Sequence, residues 1–259
     1  MKFFKPLFFF LFTAILSSCL DSEEKIVINA DNSGTYSMTL DLGKMLEMAS
    51  TMGAKPESGK PKEKKDTTVY LKNYLDSATN LTAEEKALYR DGVLSMKLDE
   101  EKNELKIVVS CPFKKISDLA AIKTNLFNII QKVKAFENAT GEKPKEGENE
   151  DVKAGMKSTN PVGDQFTFLA APGKISNTIN NIETYKAKIA SDSALSMMSQ
   201  MSGMMGDFKY RTILVLPKLV KKYDGPGSTI SADKKTLTFE TTLTEMMEHP
   251  EKVSYVVEY

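Results

Sequence analysis

Between residues 116 and 135 the apolar side chains fall on one stripe. Leu119, Ile122, Leu126, Ile129, Ile130 and Val133 recur at spacings of three and four, which predicts a helix with one apolar face. Such a helix must cover something. The segments before it are strand-like: "GVLSMKLD" and "ELKIVVSCPF" flank "EEKN". Val93, Ser95, Lys97 and Asp99 alternate with Leu94, Met96 and Leu98, so one face of this hairpin is apolar. A one-sided helix following a one-sided hairpin predicts a layer of helix on a layer of sheet.

The same alternation of hairpins and helices runs along the chain. "KIVINA" and "TYSMTLD" flank the turn signal "DNSG" and predict a hairpin over 25–41. "LGKMLEMAS" has helical spacing at Leu42, Met45, Leu46 and Ala49. "VYLKNYLDS" and "TAEEKALYRD" read as short helices, the second with Thr82 and Glu85 placed for a capping box. "DQFTFLAAPGKISNTI" reads as one or two strands, "DSALSMMSQMSGMM" as a helix over 192–205, and "KYRTILVLP" as a strand ended by Pro217. "STISADKKTLTFETTL" reads as a hairpin, "TEMMEHPE" as a helical turn stopped at Pro250, and "KVSYVVEY" as a last strand. The expectation is α+β: an antiparallel sheet built from hairpins with helices on one face. Two stretches rich in Lys, Glu, Gly and Pro, 51–66 and 137–164, read as solvated excursions from a single domain over 26–259.

The start of the chain carries a different signal. Lys2 and Lys5 flank Phe3 and Phe4, and an apolar run from Pro6 to Leu16 follows. That layout is a secretory signal, and the run is short of the roughly 20 residues that span a bilayer. Leu16-Ser17-Ser18-Cys19 resembles the lipobox of bacterial lipoproteins. The resemblance implies that residues 1–18 are removed, that the Cys19 thiol and the new amino group are acylated, and that 19–25 form a tether. One acyl chain alone anchors marginally, so several are needed. An aspartate directly after the cysteine often retains such proteins at the inner membrane, and here that position is Leu20. The acidic residues Asp21, Glu23 and Glu24 resemble the surface-export signal of Bacteroidota lipoproteins, and equally suit any solvated tether. The implied location is the outer membrane, with surface exposure as an alternative.

A second resemblance lies further on. The strand ending at Pro217, then "LVKKYDGPGS", then "DKKTLTFETTL", resembles the C-terminal part of LppM-like lipoproteins. "INADNSGTYSMTLD" resembles the hairpin near the start of many such proteins, and Phe239 stands where an aromatic usually ends a strand. The resemblance implies an α+β, lipid-associated protein. No lipid site is readable from the residues themselves.

Chemistry-bearing residues are sparse. Of two cysteines, Cys19 is the lipid position, which leaves Cys111 in an apolar strand as a buried, inert thiol. His249 is the single histidine and stands at a helix stop beside Pro250, so neither a zinc site nor a catalytic triad of the usual kind is available. Glu84-Glu85 and Glu100-Glu101 fall in helix-start and turn contexts and read as solvated charge. No nucleophile elbow, phosphate loop or H-E-x-x-H occurs. Without Lys2 and Lys5 the chain has 33 basic against 35 acidic residues, which gives no footprint for nucleic acid. Met197, Met201, Met204 and Met205 share one face at helical spacing. They suit apolar packing, a groove for an apolar ligand, or soft Cu(I) ligation, and no His or Cys stands near to complete a metal site. The resulting expectation is a non-catalytic envelope lipoprotein without a cofactor. It would act as a binding or structural module for an envelope protein or lipid partner, with carriage of an apolar ligand and an enzyme without a recognisable motif as alternatives.

Overall fold

The computed structural model describes residues 21–51, 62–141, 165–193, 195–196, 199–200, 202 and 206–259. Its frame is an eight-stranded sheet. In chain order the strands are β1 (Asp21–Ile28), β2 (Gly34–Asp41), β3 (Lys64–Tyr70), β4 (Val93–Asp99), β5 (Glu104–Phe113), β8 (Lys209–Val215), β10 (Ser228–Ile230) and β11 (Thr236–Thr242). Their spatial order is β10-β11-β8-β1-β2-β5-β4-β3. All neighbours are antiparallel except β1 and β8, which run parallel. Period-two patterning lines up one buried side chain per strand: Leu237, Leu214, Ile26, Tyr36 and Cys111 stand opposite one another across five strands.

Helix α4 (Leu119–Lys132) lies on that face, against β2 and β5. All six residues of the predicted stripe are buried. The helix breaks at Lys134, which takes a left-handed φ of 53°, and α5 (Ala135–Thr140) turns back toward β3 and β4. Helices α2 (Lys72–Leu75) and α3 (Ala83–Tyr89) complete this layer through Leu75 and Tyr89. The capping box of α3 is formed: the Thr82 hydroxyl accepts the Glu85 N–H at 3.1 Å, and the Glu85 carboxylate accepts the Thr82 N–H at 2.8 Å.

A second sheet shares the same face and was not anticipated. It consists of β6 (Phe166–Ala171), β7 (Lys174–Ile179), β12 (Tyr255–Glu258) and β9 (Lys222–Asp224), in the order β6-β7-β12-β9. Ile175, Tyr255 and Val257 enter the main core, and the Phe239 and Tyr255 rings stack at 4.5 Å. A smaller core forms from Tyr185 and Ile189 of α6 (Ile182–Ser191), Leu195, Phe208, and Leu243 of α7 (Leu243–Glu248).

The α+β reading therefore stands, with helices on one face and a second sheet beside them. Three boundaries are corrected. The excursion expected over 51–66 ends earlier, because Lys64, Lys65 and Asp66 pair with β4. Of the stretch expected as an excursion over 137–164, Glu137 to Thr140 instead continue α5; residues 142–164 lie outside the described residues. The tether expected over 19–25 is not a tether from Asp21 onward: those residues are β1, paired on both sides.

Gly34 opens β2 opposite Ile28 and Phe113. A Cβ there would stand 1.9 Å from the Val27 carbonyl oxygen and 2.4 Å from the Phe113 ring. Gly34 serves close approach, while the left-handed position of this turn is Asn32, with φ of 65°. Gly34→Ala is expected to destabilise the fold by at least about 1–3 kcal/mol, read as a lower urea midpoint at unchanged slope. A midpoint equal to that of the parent chain would contradict this packing.

Candidate functional site

The inward face of β1 carries Ser22, Glu24, Ile26 and Ile28. Glu24 is thus placed by strand parity inside the core, where it is 9 % exposed. An isolated carboxylate there would be costly. It is met by Lys123 of α4, whose ammonium forms an ion pair with it across 99 residues of sequence. The Thr212 hydroxyl from β8 donates to the same carboxylate at 3.4 Å, and the Tyr36 hydroxyl donates to it from β2. The Lys123 ammonium also lies 5.2 Å from the centre of the Phe168 ring of β6, within cation–π range. Sheet, helix and second sheet therefore converge on one buried charge pair.

Two tyrosines, Tyr36 and Tyr255, feel the charge of this centre. Burial, and then the charge of Glu24, push the Tyr36 phenol well above its ordinary value. The same causes act on Tyr255. Among the described residues the Tyr255 hydroxyl has no hydrogen-bond partner. Burial raises Tyr185 as well, and its hydroxyl donates to the Met246 carbonyl at 3.2 Å. The Tyr36 and Tyr185 phenols donate hydrogen bonds, and the Tyr255 ring packs. Cys111 is fully buried, and burial pushes its thiol up to about 12. It is the inert core thiol expected from its strand.

The outward face is polar. Glu23, Thr39, Asp41, Lys106, Lys209 and Arg211 line a cleft of about 170 Å³ together with Ser22. The Arg211 guanidinium bridges Glu240 at 3.0 Å and Glu23 at 3.4 Å. This cleft is charged and smaller than the roughly 300 Å³ of ordinary ligand pockets. Among the described residues no three His, Cys, Asp or Glu side chains converge as metal ligands, and no helix is long and apolar enough to cross a membrane.

The sequence-based candidates fall as follows. Cys19, Met197, Met201, Met204 and Met205 lie outside the described residues. Leu195, next to the methionine run, is buried in the smaller core. His249 ends α7, donates its N–H to the Glu245 carbonyl and places Nδ1 3.3 Å from Glu251. Glu85 is a capping residue. Glu23 and Glu24, taken from sequence as tether or export-signal charges, are instead paired within the fold. The missed residue was Glu24, and a signal existed: it shares strand parity with Ile26 and Ile28. Lys123 gave a parallel hint, flanking the stripe next to Ile122.

No protein-family model matches this chain, and no curated protein matches it. Among solved structures, the NMR structure of the folded domain of LppM from Mycobacterium tuberculosis aligns over 93 % of this chain and 91 % of that chain, at a TM-score of 0.36 and 8 % identity. At that level nothing about site or activity transfers from it.

Removing one partner of the buried pair should be severe. Lys123→Met is expected to cost about 3–5 kcal/mol, because it leaves a buried carboxylate uncompensated, whereas Glu24→Leu combined with Lys123→Met should recover most of that loss. Urea unfolding of Lys123→Met and of the double variant measures it; equal costs for the two would show that the pair is not coupled. The tyrosines set an alkaline limb. Their folded values lie above the unfolded value of 10.0, so their contribution is fully present below that pH and is lost as pH rises past it toward the folded values. Tyr255→Phe removes an unbonded hydroxyl. It should leave neutral-pH stability unchanged or raise it by about 1 kcal/mol and should make the alkaline decline shallower in pH-dependent melting.

Proposed function

We propose that this chain is an envelope lipoprotein, held at a membrane by acyl chains on Cys19, whose folded domain is a non-catalytic binding or structural module. The observation that carries the reading is a juxtaposition. Leu16-Ser17-Ser18-Cys19 closes a basic and apolar leader, and the first residue of the folded sheet, Asp21, stands two positions later. Glu23 and Glu24 are consumed by internal pairing, which leaves the cysteine as the chemical feature of this junction. The buried charge pair, the protonated tyrosines and the inert thiol support a structural rather than a catalytic role for the core. Leu20 after the cysteine favours the outer membrane over inner-membrane retention. Carriage of an apolar ligand beside Met197, Met201, Met204 and Met205 is the alternative reading, and those side chains lie outside the described residues.

Cys19→Ser is expected to abolish incorporation of an alkyne fatty acid and to leave an uncleaved or soluble precursor, while the parent chain is labelled and sediments with outer membranes. Equal labelling of the two would overturn the reading.

A further inference from the structure

We propose that helix α1 (Gly43–Thr51) is a membrane-contacting element, seated against the lipid headgroup region of the bilayer that holds Cys19. This rests on the acylation of Cys19 proposed above. Three observations carry it further.

The first is a distance bound. Asp21 and Asp41 are direct cross-strand partners. Cys19 precedes the one by two residues, and Gly43 follows the other by two. With about 3.8 Å per residue and about 5 Å across the pair, the Cα atoms of Cys19 and Gly43 are at most roughly 20 Å apart. A bilayer holding the acyl chains of Cys19 is therefore within reach of α1 whatever path Leu20 takes.

The second is rigidity. The Asp41 carboxylate accepts the Gly43 N–H at 3.1 Å, and the Leu42 N–H donates to the Leu105 carbonyl at 2.7 Å. Gly43 also sits where a Cβ would approach the Asn103 carbonyl oxygen to 2.5 Å. The helix is fixed to the same end of the sheet as the anchor and does not swing from a loose linker.

The third is burial. None of the described side chains of α1 is buried, although the helix contains Met45 and Leu46. Met45 is 41 % exposed, and Leu46 is half-buried. A short helix that exposes Met45 and leaves Leu46 half-covered while it stands beside an acyl anchor matches an interfacial element. Methionine suits the task, because its flexible thioether adapts to an irregular apolar environment. The proposed contact also gives the domain a fixed pose: β1 runs away from the membrane, and its turn at Asn29–Ser33 is about 25 Å farther out, at roughly 3.3 Å per strand residue.

The test uses the full, acylated chain in vesicles of phosphatidylethanolamine and phosphatidylglycerol, with or without brominated acyl chains. A bimane fluorophore is attached at Met45→Cys, and separately at Ala30→Cys in the distal turn. Cys111 stays unlabelled because it is fully buried and its thiol is pushed up to about 12. An interfacial helix buries its apolar face roughly 5–10 Å deep, so brominated lipid should cut the Met45→Cys signal to about half or less and leave Ala30→Cys unchanged. Flotation of the protein and the acyl mass on the Cys19 peptide are read in parallel. Acylated, floating protein with no quenching at Met45→Cys overturns the α1 contact and leaves the anchor intact. A blue-shifted but unquenched label means that a protein surface or a second copy covers α1, and overturns it too. Equal quenching at both positions overturns the pose. Absence of acyl mass on Cys19 removes the anchor and the contact together.

Discussion

Strand β1 is the constraint on which the rest of the molecule depends. It pairs antiparallel with β2, its neighbour in sequence, and parallel with β8, whose Arg211 lies 188 residues beyond Glu23. Without β1 the eight-stranded sheet would fall into two pieces, one with β10, β11 and β8, the other with β2, β5, β4 and β3. The row Leu237, Leu214, Ile26, Tyr36 and Cys111 is continuous only because Ile26 fills its middle. The parallel pairing explains the burial of Glu24 as well. Pairing on both edges fixes the parity of β1, so Glu24 points to the face covered by α4, where Lys123, Thr212 and Tyr36 meet its carboxylate.

That centre ties together every layer. Lys123 comes from the helix over the sheet, Phe168 from the second sheet, Tyr36 and Thr212 from the two strands beside β1. A buried ion pair of this kind adds little net stability compared with apolar side chains of similar volume, because desolvation offsets most of the attraction. It does make misplacement of α4 costly. A shift of the helix by one turn would leave two charges buried and alone.

Much of the fold was legible where the sequence repeats locally. The hairpins over β1–β2, β4–β5 and β10–β11, the apolar stripe of α4 and the capping box at Thr82 all depend on residues a few positions apart. Elements without that local signature were missed. The helix α6 has its N-cap at Asn181 but a weak apolar stripe, and β9 is three residues with every side chain exposed. Strand β3 was hidden because "KKDTTVY" begins with the charges of a solvated run, and as an edge strand with one buried residue it has no need of strict alternation. The second sheet was invisible because β6 and β7 meet β12 and β9 only through long-range pairing. The buried Glu24 was readable from strand parity, yet its acidic neighbours made it look like part of a tether.

The central place of β1 also orders events in time. Pairing with β8 closes a loop of 188 residues, and such long-range contacts form late. A strand inserted between two partners offers no free backbone edge to another chain. Until β8 arrives, the far edge of β1 stays open to pairing with another chain, so the interval before closure is when the domain is most exposed to mispairing.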